Sequence, residues 1–167
     1  MIESLADLLV AGTILGASIS YSRNQSTLSF IVVLLFLFCS YVGYLLSSNG
    51  WVYVETHYWF IDSLRVIAAL GLVLSGWVCF MPLHGFYHQR SRYIWMATSF
   101  FSFFIGWHAG HWLKSMPALL TSFCLFILFL VAGRIAWTAI ATNWKQRSYT
   151  PHAPYGALLL FSILLLL

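Results

Sequence analysis

The stretch LSFIVVLLFLFCSYVGYLL, Leu28 to Leu46, decides the fold, because it runs for 19 residues without a single charge. At about 1.5 Å per residue, a helix of that length covers about 28 Å, close to the ~30 Å hydrocarbon core of a bilayer. The rest of the chain points the same way. Its 167 residues are 61% hydrophobic and only 7% charged, with a mean hydropathy of +0.86. Soluble domains carry about 25% charged residues, so the shortfall implies lipid as the solvent for much of the chain. Aromatic residues make up 19% and include eight tryptophans, the residue type that anchors helices at both membrane interfaces.

Outward from this segment the chain reads as one multi-pass domain over residues 1–167, an all-α integral membrane bundle. Five spans are expected, at about 2–21, 28–46, 62–82, 94–113 and 118–143. A hydrophobic tail at 155–167 follows, too short at about 20 Å to cross. That tail is expected to be half-inserted, re-entrant or held against the bundle. The N-terminus is expected to be a first helix and not a cleavable signal, because Glu3 and Asp7 stand where a basic region belongs. These two acids suit the positive end of a helix dipole. Cys39, Cys79 and Cys124 each sit inside a different apolar run, as small hydrophobes rather than a disulfide framework.

Charge sets the expected orientation. If side A is the side of the N-terminus, then Arg23, Arg90, Arg92, Lys145 and Arg147 fall on side B, with Arg134 leaning that way, while side A holds Lys114 and the membrane-edge Arg65. All four acids, Glu3, Asp7, Glu55 and Asp62, fall on side A. Lysine and arginine in short loops mark the cytoplasmic face. The expectation is an N-terminus outside and cytoplasmic loops at 22–27, 84–93 and 144–154. The membrane is expected to be a bacterial inner membrane, or a host-cell membrane if the gene is phage-borne. The net charge of +4 is explained by these loops and needs no nucleic-acid partner.

Two features stand out within the spans. Gly12 and Gly16 in the first, and Gly106 and Gly110 in the fourth, form small-x-x-x-small stripes that let another helix approach closely. In the fourth span, His108 and His111 lie one turn apart near side A. The 47–62 connector, rich in aromatics, brings Glu55, His57 and Asp62 to that side, and Arg65 follows one turn after Asp62. His57, His108 and His111, with Glu55 and Asp62, are therefore candidate metal ligands. The competing reading is ordinary interfacial histidines beside an i, i+3 Asp62–Arg65 ion pair.

No nucleophile elbow, phosphate loop or zinc-protease helix is present, and no cofactor is implied. The expected function is non-enzymatic: helix–helix assembly as a scaffold or subunit of a membrane complex, as a homo-oligomer or with other membrane subunits. The alternatives are a holin-like pore former, and a small transporter or redox subunit using the side-A histidine and carboxylate cluster.

Overall fold

The computed structural model describes residues 2–22, 24–48, 58–81, 84–88, 91–112, 116–143 and 150–164. Among these the chain is all-helical: α1 Ile2–Ile19, α2 Gln25–Ser48, α3 Tyr58–Cys79, α4 Arg92–Trp112, α5 Met116–Asn143 and α6 Ala153–Leu164, with a 3-10 turn, Thr150–His152, leading into α6. Three helices are long and apolar enough to cross a membrane, over Gln25–Ser48, Asp62–Cys79 and Pro117–Ile140. That is fewer than the five spans expected. α1 supplies a shorter apolar run, Ala6–Ile19, of about 21 Å. α4 has the length, but Tyr93, Thr98, Ser99, Ser102 and His108 lower its mean hydropathy.

The helices are organised by two glycine seams. A Cβ added to Gly12 would stand 2.8 Å from the Phe129 Cβ, and one on Gly16 would collide with the backbone carbonyl of Leu130. Reciprocally, a Cβ on Gly133 would strike Thr13. The register rises together on both helices, so α1 and α5 are parallel neighbours. α2 and α4 form the second pair: Gly43 meets the Phe103 carbonyl, Gly106 meets Ser40, and Gly110 stands against Ser47. In each seam only a missing side chain allows the backbones to come this close.

Several hydroxyl groups inside the bundle are absorbed locally. Ser18 donates to the Ile14 carbonyl at 2.8 Å, Ser40 to Phe36 at 2.6 Å, and Ser102 to Thr98 at 2.7 Å. Such back-bonding satisfies a buried hydroxyl without a partner from another helix. Between the pairs, Phe36 of α2 stacks on Phe126 of α5 with ring centroids 3.5 Å apart.

α3 lies on α4, and α6 is wedged between α3 and α1. Tyr155 of α6 is 2% exposed, and its ring fills the space beside Gly76, where a Cβ would come within 2.8 Å. Over the described part of the tail, α6 lies against the bundle with Tyr155 and Leu158 buried. Between α3 and α4 the chain turns tightly at Gly85, whose φ of +74° suits glycine. The Tyr21 and Ser22 backbone and hydroxyl also leave no room for a side chain there.

Candidate functional site

Asp7 sits in the second turn of α1, and with Val10 it faces inward at i, i+3 spacing. Arg65 lies two turns into α3. Phe101, Ile105 and His108 share one face of α4 and complete the same wall. From these three helices a charged cluster forms at side A. Arg65 Nη1 donates to Asp7 Oδ2 at 2.6 Å, and Arg65 Nη2 reaches Asp62 Oδ1 at 3.4 Å. His108 Nδ1 stands 3.3 Å from Arg65 Nη1 and 3.4 Å from Asp7 Oδ2. Asp7 and Arg65 are each 5% exposed and His108 is 7% exposed, whereas the Asp62 side chain is 36% exposed. The cluster therefore has a buried interior and one half-exposed lip.

Taking ions out of water costs several kcal/mol each, so such a group persists only when the partners are well matched. Here the guanidinium fork addresses two carboxylates at once, a geometry that a lysine cannot reproduce. A small cleft adjoins the ions, lined by Asp7, Val10, Arg65, Val66, Phe101, Ile105, Leu158 and Phe161. It has room for about one water molecule. α6 closes it with Leu158 and Phe161.

The sequence-predicted site residues are distributed unevenly around this cluster. His108 is in it, and Asp62 forms its lip. Glu55 and His57 lie outside the described residues, and His111 is on α4 with its side chain outside them. Among the described residues, no three His, Cys, Asp or Glu side chains gather to hold a metal ion. Asp7 was missed as a site residue. Its 58-residue separation from Arg65 hides the pairing. The available signal was an acid set into an apolar helix on the same side as the arginine.

The other end of the bundle carries a different polar set. His152 is surrounded by rings, at 5.2 Å from Phe80, 6.0 Å from Trp77 and 6.1 Å from Phe86. Its Nδ1 has no hydrogen-bond partner among the described residues. Burial lowers its pKa from the usual 6.5. Tyr87 shares a hydrogen bond with Thr98 at 3.2 Å, and burial pushes its phenol up to about 12. His84 and His88 stand with ring centroids 6.4 Å apart, and His88 Nε2 meets the Cys79 carbonyl at 3.1 Å. Set against known proteins, the chain matches no family model, no curated protein and no solved structure.

Proposed function

We propose that this chain is a non-enzymatic multi-pass membrane protein that works as a subunit or scaffold within a membrane assembly. In this reading α1 to α5 cross the bilayer, the N-terminus is outside, and α6 packs inside the bundle without crossing. One observation carries the membrane setting of the proposal: large apolar side chains cover the outer surface while an ion pair is buried between helices. Asp7 and Arg65 are each 5% exposed, while Phe38 is 71%, Trp77 68% and Val78 79% exposed. Water would penalise that distribution, and lipid tails or apolar partner helices accommodate it.

Five crossings are supported by the seams. α4 lies along α2, and α1 along α5, so each less apolar helix is paired in parallel with one that has the span's length and composition. The same seams change where assembly would occur. Gly12, Gly16, Gly106 and Gly110 are occupied within the chain, so in this reading a homo-oligomer or a partner subunit docks on the bulky outer faces of α2, α3, α4 and α5 instead. Reporter fusions test the topology: cytoplasmic after Arg92 and external after Asn49. An external reporter after Arg92 contradicts it. Native electrophoresis of the extracted protein, with and without co-expressed membrane proteins, tests assembly. A strictly monomeric protein without partners contradicts the subunit reading.

A further inference from the structure

Arg65 and Arg134 meet the apolar interior in opposite ways. Arg65 has two carboxylates within reach, Asp7 and Asp62. Arg134 is the only charged residue of α5 and is half-buried, yet its Nη1 donates to a neutral hydroxyl, Ser29 Oγ of α2, at 3.3 Å. Among the described residues, no carboxylate lies within ion-pair distance of it. The chain has four acids, Glu3, Asp7, Glu55 and Asp62, and in the proposed topology each belongs to side A. Arg134 is level with Gly16 of α1, where an added Cβ would stand 2.9 Å from the Arg134 backbone nitrogen. From that level Asp7 is about 14 Å further along α1. A guanidinium always carries its charge and offers five donors in a planar fork, so one neutral hydroxyl cannot balance it.

The surroundings of Arg134 define what can. Ser29 is one turn inside the start of α2 at Gln25, and its hydroxyl donates to the Gln25 carbonyl at 2.7 Å, which turns a lone pair toward Arg134. One turn beyond Arg134 toward side B, Trp137 Nε1 donates to Tyr21 Oη at 2.5 Å. Aromatic residues with a polar tip mark the headgroup level of a bilayer. In the other direction, Val131, Ile127 and Leu120 share the Arg134 face of α5 at helical spacing, and all three are exposed. A cation at headgroup depth above an exposed apolar ridge is complementary to a phospholipid, whose phosphate stands above its acyl chains.

We infer that Arg134 is a binding site for the phosphate of an anionic phospholipid from the side-B leaflet, with an acyl chain lying along Val131, Ile127 and Leu120. The guanidinium fork donates to the phosphate oxygens, and Ser29 positions it from α2. A zwitterionic lipid brings its own cation and leaves the charge of Arg134 unbalanced, whereas a lipid of net charge −1 cancels it. The basic residues of the side-B loops favour anionic lipid in the same leaflet. The site lies where α5 meets α2, so the lipid joins the two glycine-locked pairs at side B, as the Asp7 cluster does at side A.

The experiment uses full-length protein extracted in mild detergent and exchanged against phosphatidylglycerol or phosphatidylcholine, with bound lipid counted by native mass spectrometry. Wild-type protein is expected to retain one phosphatidylglycerol more firmly than phosphatidylcholine. Arg134→Gln should hold that lipid about tenfold more weakly or lose it. Arg134→Lys should fall between, because it keeps the charge without the fork. Arg92→Gln, which removes an exposed charge on the same side, should retain the lipid. If Arg134→Gln does not fold, Arg134→Lys and the wild-type preference carry the test. Equal retention by wild type and Arg134→Gln overturns the inference, and so does equal retention of the two lipids. Displacement by inorganic phosphate at the same concentration would make this a free-anion site. A co-purifying polypeptide lost in Arg134→Gln, in place of lipid, would assign the counter-charge to a partner's carboxylate. Either result overturns the lipid assignment. The inference rests on the membrane reading. Protein that stays soluble without detergent contradicts that reading, whereas detergent-dependent protein with unaltered lipid retention in Arg134→Gln contradicts the site alone.

Discussion

The two glycine seams and the charged joint solve the same problem, holding helices together, by opposite means. In the seams the backbones touch. Gly16 meets Leu130 and Gly106 meets Ser40 with no space for one extra carbon. At the joint α3 lies on α4, and α1 is joined to both by long side chains beside a small cleft. Contact packing admits one geometry, because interiors are dense and do not deform gradually. Charged side chains can exchange partners without moving the backbones far. The molecule thus combines two pairs held by backbone contact with one connection made through charged side chains, beside which α6 packs.

Substitutions that fill a seam should break this contrast most severely. Gly16→Leu has to displace the backbone of α5 at Leu130 and Arg134, neither of which is a flexible side chain. Overpacking ordinarily costs about 1–3 kcal/mol. With backbone as the obstacle the expected outcome is larger, a loss of monodisperse protein in size-exclusion chromatography. A well-folded Gly16→Leu would show that the seam is looser than described. Next in size is Arg65→Met, which strands Asp7 with its counter-charge gone at 5% exposure. The expected cost is about 3–5 kcal/mol, measured by reversible SDS unfolding followed by tryptophan fluorescence. The double variant Asp7→Leu/Arg65→Met should recover most of it, since removing both charges leaves no buried ion.

These two predictions differ in how far they were visible in the sequence. The glycine stripes announced that helices approach closely there, but a stripe carries no address. That α1 pairs with α5 rather than its neighbour α2 depends on three-dimensional register. The charges were legible by side and not by partner. Arg65 reads locally as the i, i+3 partner of Asp62, a contact that does exist at 3.4 Å. The shorter bond goes to Asp7, from a helix 58 residues away. Asp7 itself reads as a helix-dipole acid because local pattern offers it no other role. Hydropathy reads spans at α1 and α4 as well, whereas three helices have both the length and the apolar composition to cross. The tail was legible as a short apolar segment, while the packing of Tyr155 beside Gly76 required the shape of its neighbours.

Smaller effects should sharpen the comparison. Gly76→Ala places a Cβ 2.8 Å from the buried Tyr155 ring, between α3 and α6. A cost of about 1–3 kcal/mol is expected by the same unfolding measurement. An unchanged midpoint would mean that α6 is only loosely held. Smallest is the acid response of His152. Its folded-state pKa is lowered by burial, so the unfolded chain binds the proton first. Stability from this group is complete above the unfolded value of about 6.5 and falls as pH drops through it toward the folded value. His152→Phe should therefore flatten part of the decline in melting temperature between about pH 7.5 and 5.5. An identical decline in wild type and variant would remove His152 from the account.

The most direct test of the charged joint is a double-mutant cycle across it. Asp7→Asn, Arg65→Gln and the combined variant are compared with wild type by reversible unfolding in the same lipid-detergent mixture. If the ion pair links α1 to α3 as described, the single variants should each be costly. Their combination should then be less costly than the sum by about 2 kcal/mol. Costs that add to within about 0.5 kcal/mol would show that the two residues do not interact, and the joint would have to be held by something else.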